Sequence, residues 1–363
     1  MTTREVRLED PGSVAVYRFP TPGPESDGTL AWTSTTAVTV RLEAGGRSGL
    51  GWTYSTPAAA AIIRDELLPI LIGRSPWDIP QCRLEMRRAC RDFGTTGVVA
   101  QALSAVDIAL WDLKARLLDT SLARLLGGVR AAAPVYGSGG FTNLPDEDLD
   151  EQITSWLAAG CTAVKIKIGR DTARDLDRLV RAADLVTGRA ELMVDAAGAY
   201  PTGYARRVGT ALDELGVTWF EEPVRSEDPA GLAVVRDGVE CDVAAGEYIY
   251  DPMGAAALLD VVDCLQLDVT RCGGYSGFLE CAALAAAHGL EVSAHCAPAL
   301  HAPVAAAVPN LRHVEWFIDH ARLEPLLVDG VPEVVDGLLP RAGEHGDCGH
   351  GMTIAASAAE FRI

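Results

Sequence analysis

Ala190-Glu191-Leu192-Met193-Val194-Asp195 is a short apolar run that ends in a carboxylate, and two later stretches repeat the pattern. After 26 residues Thr218-Trp219-Phe220 leads into Glu221, and after 26 more Val243-Ala244-Ala245-Gly246 leads into Glu247. One strand plus one returning helix needs about that length, because a right-handed crossover between parallel strands takes a dozen or more residues. Acids at the C-terminal ends of successive parallel strands converge on the mouth of a barrel. Three carboxylates there, with no balancing cation among them, predict a site for a hard divalent ion such as magnesium (Mg2+). Each acid alone reads as a surface carboxylate; three at matching places on consecutive strands do not.

Working outward, strand and helix patterns alternate from Pro134 to about residue 317. Candidate strands lie at 134–137, 163–168, 191–195, 218–221, 242–247, 264–268, 291–295 and 313–317. Helical stretches at 146–159, 172–186, 202–215 and 277–288 separate them. Eight such strands predict a compact (β/α) barrel with its final helix missing or short. Before the barrel, 14–19 alternates weakly and 20–28 reads as a breaker-rich loop. Segments 37–42 and 49–52, around Gly45-Gly46, predict a hairpin. From Pro57 the pattern turns helical, with further helices expected at 81–91 and 98–118. Gly127-Gly128 closes this α+β domain, and the Pro/Gly-rich tail after Arg322 is expected to return to it.

The 363 residues are 48% hydrophobic and 22% charged, as in an ordinary globular chain with room for a domain and a cap. Fifty acids against 31 bases leave a net charge of −19. That argues against nucleic acid or an anionic membrane as partner. It does not exclude an anionic substrate, because a bound metal and local lysines set the potential inside a pocket. Nine cysteines without a Cys-x-x-Cys pair predict reduced thiols in a cytoplasmic protein. Met1 to Asp10 is charged and lacks the apolar core of a signal peptide. No apolar stretch reaches ~18 residues uninterrupted, so no membrane span is expected.

In Ala163-Val164-Lys165-Ile166-Lys167-Ile168, strand alternation sends Lys165 and Lys167 to one face, the barrel interior. The plainer alternative is two solvated lysines on an edge strand. A lysine crowded by another lysine and a metal has its pKa pulled down toward that of a base. The sixth strand ends at Asp268 and the seventh at His295, where the carboxylate would hold one imidazole nitrogen and leave the other for proton transfer. Glu315, near the end of the eighth strand, reads either as a partner of a substrate oxygen or as a structural ion-pair residue. Glu222 points away from Glu221 and is left outside the metal shell. His288, His301, His313, His320, His345 and His350 lack ligand spacing and read as structural or exposed.

The ordered set Lys165-Ile166-Lys167, Asp195, Glu221-Glu222-Pro223, Glu247, Asp268 and His295 resembles the enolase superfamily, specifically its mandelate racemase subgroup, over essentially the whole chain. The resemblance implies a modified TIM barrel, (β/α)7β, over residues 126–322. It implies an α+β capping domain over 1–125 that carries the substrate-specificity loops, completed by the C-terminal segment 323–363. It further implies that Asp195, Glu221 and Glu247 bind Mg2+, and that Lys167 is one acid/base with Lys165 beside it on the substrate carboxylate. Asp268–His295 would be the second acid/base, and Glu315 a protonated donor to that carboxylate. Such sites, with a Lys or His base and one or two magnesium ions, are a known pattern of the superfamily. Where the muconate lactonizing subgroup carries lysine, this chain keeps Asp268. Where many relatives have Asn two residues after the third-strand Asp, it has Ala197. The loop around Thr21 to Thr29 and the segment Gly51-Trp52-Thr53-Tyr54 are expected to close over the pocket.

The implied chemistry is removal of the proton α to a carboxylate through an enediolate, whose charge a metal and a lysine stabilise where it develops. The first expectation is dehydration of a sugar acid, a small-molecule carboxylate, to a 2-keto-3-deoxy acid. The alternatives are a racemase or epimerase of a 2-hydroxy acid or amino acid derivative, and a non-catalytic sugar-acid binder. The resemblance also implies an even-numbered homo-oligomer.

Overall fold

The computed structural model describes residues 6–9, 12–342 and 348–363. The reading of Met1 to Asp10 falls partly, and that of His345 wholly, outside the described residues. Three antiparallel strands come first, β1 (Val14–Ser26), β2 (Ala31–Ala44) and β3 (Arg47–Tyr54), in that spatial order. Gly45 and Gly46, at φ of 55° and 74°, form the turn between β2 and β3. Positive φ at both central positions matches the strand twist, and glycine adopts it without a Cβ clash.

β1 corrects one expectation. The stretch read as a loop over 20–28 is extended as far as Ser26, with an irregular register between Pro20 and Glu25. Its prolines are tolerated because β1 is an edge strand, where a missing N–H costs no ladder bond on the open side.

The helix Val98–Leu117 packs across this sheet. The approach is so close that a Cβ on Gly51 would lie 2.1 Å from the Ala105 carbonyl oxygen. Backbone lines the contact, so no side chain can swing away. Gly51→Ala is expected to cost about 1–3 kcal/mol, the range for overpacked cores. The measurement is a lowered urea midpoint at unchanged slope.

Eight parallel strands follow: β4 (Ala132–Gly139), β5 (Ala163–Lys167), β6 (Glu191–Asp195), β7 (Val217–Glu221), β8 (Asp242–Ala245), β9 (Cys264–Leu267), β10 (Glu291–Ala294) and β11 (Leu311–Phe317). Each pairs with the next and β11 pairs back with β4, so the barrel closes. Side chains alternate inward and outward along each strand. Tyr136, Ala163, Met193, Trp219, Ala244 and Cys264 form a buried cluster inside. Two residues further along five of these strands stand Ser138, Lys165, Asp195, Glu221 and Gln266, all buried. One period of two therefore builds both an apolar floor and a polar layer above it.

The final barrel helix, expected to be missing or short, is a ten-residue helix, Ile318–Leu327, that starts where β11 ends. Beyond it β12 (Val328–Asp329), β13 (Leu338–Pro340) and β14 (Thr353–Ile354) run back. β13 joins β4 antiparallel and β12 pairs with β14. The tail then reaches the first sheet. Tyr17 bridges Arg362, and the rings of Phe19 and Phe361 lie 4.6 Å apart. All nine cysteines are free, eight of them buried. No described helix is long and apolar enough to cross a membrane.

Candidate active site

Parallel register sets Lys167 beside Asp195 and Asp195 beside Glu221. Lys167 Nζ lies 2.5 Å from Asp195 Oδ2. Lys165 Nζ donates to both Glu221 oxygens at 2.6 and 2.7 Å, and lies 2.8 Å from Glu315 Oε1. Glu315 also accepts from Ser138 Oγ at 2.6 Å and from the Cys296 N–H at 2.8 Å. His295 Nδ1 is 2.9 Å from Asp268 Oδ2, while its Nε2 is 3.3 Å from Glu247 Oε2 and 3.8 Å from Glu315 Oε2. The structure thus gathers all eight residues singled out in the sequence into one buried network.

Glu247 arrives by a different route from the other acids. Its strand stops at Ala245, and inward alternation from Ala244 would select residue 246. Gly246 takes φ of 131°, and a Cβ there would meet the Gln266 carbonyl at 2.5 Å. This glycine turns the chain so that the next side chain enters the site.

One oxygen each from Asp195, Glu221 and Glu247 lie within 4.8 Å of one another. Three hard oxygen donors at that spacing fit a small cation such as Mg2+, which holds its ligands at about 2.0–2.1 Å. The expectation that no cation balances these acids is corrected. Lys167 pairs with Asp195, Lys165 with Glu221, and Arg271 with Glu247 at 3.1 Å. Negative charge is still in excess. Burial, followed by Asp195, Glu315 and Glu247, pushes the Glu221 carboxyl up to about 7 despite Lys165.

Burial works to lower both lysines, but the carboxylates prevail. Glu221 and Glu315 hold Lys165 well above its ordinary range, and Asp195 raises Lys167. Among the protein's own charges, then, crowding between lysines does not produce the lowered base expected from sequence. A cation shared by the three acids would take up that negative charge. For His295, burial lowers the pKa but Glu247 and the Asp268 bond raise it overall. Against burial, His295 and then Arg271 hold Asp268 below its usual range. Glu315 is likewise held low, against burial, by Lys165 and His295, so it is ionised and accepts hydrogen bonds here. The protonated donor expected of it requires the added negative charge of a substrate carboxylate beside it.

Some site residues escaped the sequence reading. Arg271 joins Glu247 to Asp268, which lies 3.4 Å from its Nε. Its only signal was its place three residues after Asp268. His320, read as structural or exposed, lines the cavity. Its Nδ1 accepts the Ala297 N–H at 2.9 Å and its ring stacks on Tyr54 at 3.8 Å. Tyr54 in turn donates to Glu324 at 3.2 Å. By contrast His301 is structural, bonded to the Val269 N–H and to the Cys296 carbonyl. Glu222 lies outside the metal triad but is buried, with φ of 38°. Burial, then Glu247, raises its pKa well above the usual range. Ala197, Cys296 and Ala297 also have positive φ, at 47°, 52° and 40°. Such strain, about 1–3 kcal/mol per residue, clusters at functional sites. At Ala197 the backbone N–H donates to Asp195 Oδ1 at 2.8 Å and, together with Lys167 on Oδ2, orients that carboxylate.

Over this network lies a cavity of about 320 Å³, walled by Lys167, Asp195, Glu247 and His295 below and by Trp32 and Tyr54 above. The expected closing segments thus do border it. A larger hollow of about 710 Å³ opens at the opposite end of the barrel and contains none of the eight residues.

Two family models match the chain: the mandelate racemase/muconate lactonizing enzyme N-terminal domain over residues 18–127, and the enolase C-terminal domain-like model over 148–358. L-talarate/galactarate dehydratase of Salmonella typhimurium is 32% identical over 311 residues, 83% of this chain and 76% of the relative. Its crystal structure with Mg and L-lyxarohydroxamate superposes with a TM-score of 0.91 at 28% identity, covering 99% of this chain and 94% of that one. The 3,6-anhydro-alpha-L-galactonate cycloisomerase of Streptomyces coelicolor is 34% identical over 336 residues, 88% of this chain and 92% of the relative. A mandelate racemase/muconate lactonizing enzyme-like protein from Rubrobacter xylanophilus gives a TM-score of 0.95 at 43% identity, covering 98% of this chain and 100% of that one.

Proposed function

The chain belongs to the mandelate racemase/muconate lactonizing enzyme family, and on that premise we propose that it is a magnesium-dependent hydro-lyase converting a sugar acid to a 2-keto-3-deoxy acid. The observation that carries this reading is the buried triad Asp195, Glu221 and Glu247, in one network with Lys167 and the Asp268–His295 pair. Those three acids would hold Mg2+, which when bound would supply positive charge where the enediolate develops.

The remaining steps fall to the chain's own groups. Lys165, tethered between Glu221 and Glu315, orients the substrate carboxylate with Glu315. One of Lys167 and His295 takes the α-proton. The C–O bond at the β-carbon then breaks, and the other group, or the same one after proton return, protonates the departing hydroxide as water. The resulting enol becomes the keto acid. Asp268 holds Nδ1 of His295 and leaves Nε2 facing the cavity. Residues 1–125 with 323–363 serve as the cap and 126–322 as the catalytic barrel. The absence of disulfides among nine cysteines supports a cytoplasmic protein, and the family supports a homo-oligomer.

A second reading shares the same first step. If the β-oxygen belongs to a ring, its departure opens the ring and gives an isomer of the substrate without loss of water. The match to 92% of the anhydrogalactonate cycloisomerase favours keeping it. Racemisation or epimerisation has less support, because the similar dehydratase and cycloisomerase carry out other reactions. The test is incubation with a sugar-acid panel and Mg2+, followed by assay for keto acid. Keto acid is expected from at least one acid, lost on chelation and restored by Mg2+. Solvent deuterium entering the α-position with no keto acid from any substrate would overturn elimination in favour of epimerisation.

A further inference from the structure

Charge is distributed unevenly around the cavity. Its two cations, Lys167 and Arg271, both stand at the metal end, where they pair with Asp195 and Glu247. The far wall, formed by the cap and the start of the helix Ile318–Leu327, carries two carboxylates, Asp27 and Asp319. Among the described residues no lysine or arginine lines that wall. Asp27 is held in its own turn, accepting from the Thr29 and Leu30 N–H groups at 2.6 Å each. Asp319 accepts from Thr35 and from Arg322. Arg322 gives its two Nη groups to Asp319 and to the Pro20 carbonyl, 3.0 Å away; its Nε has no partner among the described residues, but the residue lines a neighbouring hollow with Glu25 and not this cavity. Arg170, which meets the Leu30 carbonyl, lies outside the cavity lining.

The other polar groups of this wall are neutral. Ser34, Thr36 and Ser55 present hydroxyls. Burial pushes the His320 imidazole down to about 4, so it is uncharged near neutrality. Because Nδ1 of that ring accepts the Ala297 N–H, its single proton sits on Nε2 as a donor. Donors and hydroxyls of this kind suit a chain of substrate hydroxyl groups. A second carboxylate at the far end of the substrate would instead face Asp27 and Asp319, with no lysine or arginine of the cavity lining there to receive it.

We infer that the pocket takes a monocarboxylic sugar acid with a neutral, hydroxylated tail, an aldonate, and discriminates against aldarates, the sugar acids with a carboxylate at each end. This rests on the reading of the site as one that abstracts the α-proton of a sugar acid. It departs from the similar Salmonella enzyme, whose named substrates, talarate and galactarate, are both dicarboxylates.

The test compares five- and six-carbon aldonates with the aldarates of matching configuration, using the full chain with Mg2+. Keto acid and α-deuterium exchange are both recorded. The best aldonate is expected to exceed the best aldarate in kcat/KM by about a hundredfold or more, the preference that facing like charges impose. Leu30 lies on the cavity rim and is 61% exposed, so Leu30→Arg adds a cation to the far wall without disturbing the core. This variant is expected to narrow the ratio by about tenfold, mainly through a lower KM for aldarates. An aldarate used as well as the best aldonate, or an unchanged ratio in Leu30→Arg, overturns the inference and leaves the hydro-lyase standing. Neither keto acid nor α-exchange with any acid overturns the hydro-lyase reading and the inference with it.

Discussion

His295→Asn is expected to lose keto-acid formation by about 10²–10⁴-fold, the usual worth of a positioned proton-transfer group, and to keep Mg2+ binding. Asparagine keeps a polar group near Asp268 but carries no titrating nitrogen. The histidine lies 3.3 Å from Glu247, yet it stands outside the three carboxylates, Asp195, Glu221 and Glu247, proposed to hold the ion. Lys167→Ala is expected to lose turnover to a similar degree. Solvent deuterium separates the two roles. The variant lacking the α-base shows no exchange at the α-carbon, and the variant lacking only the leaving-group acid continues to exchange. Calorimetric titration with Mg2+ and mass spectrometry of the recovered substrate make both measurements. Full turnover in either variant would remove that residue from the mechanism.

Lys165→Ala has the largest expected effect on stability. Its ammonium is 1% exposed and neutralises two buried carboxylates, those of Glu221 and Glu315. Removing one partner from a buried ion pair costs about 3–5 kcal/mol, because the remaining charge is uncompensated. Here two charges are left, with Asp195 and Glu247 close by. Mg2+ supplies positive charge at the same place, so the variant should depend on the ion for folding more than the parent does. At a hundredfold excess over Kd, binding contributes about 2.7 kcal/mol. Urea unfolding with and without Mg2+ checks this. If the variant is as stable as the parent without the ion, the lysine is not the charge that holds this layer together.

These residues differ in how visible they were in the sequence. Lys165, Lys167, Asp195, Glu221, Asp268, His295 and Glu315 continue the strand alternation to its end or just past it, so a period of two and one regular beat were enough to bring them together. Glu247 kept the beat but not the alternation, since the switch of direction lies in the φ of Gly246. Arg271, His320 and Glu324 follow strands β9 and β11 in segments with no strand period. They are placed by contacts with Glu247, the Ala297 N–H and Tyr54, all distant in sequence. The misreading of β1 has a similar cause. Its prolines signal a break locally, and only the three-strand order shows that they sit on an open edge. The ionisation of Glu315 was hidden as well, since it depends on Lys165 and His295, which reach it from two other strands.

The sheet of β1–β3 meets the barrel through a few bonds beside the cavity. Thr53 Oγ1 donates to the Thr270 carbonyl at 2.9 Å, Tyr54 donates to Glu324, and Thr35 donates to Asp319. The pocket is therefore the seam between the two halves of the molecule. A ligand lodged there touches both sides and acts as a strut, coupling occupancy to cohesion. The cap cannot detach locally without emptying the site, and an occupied site resists detachment. Resistance to proteolysis and retention of substrate should therefore rise and fall together, even when the cut lies in the cap and far from the metal.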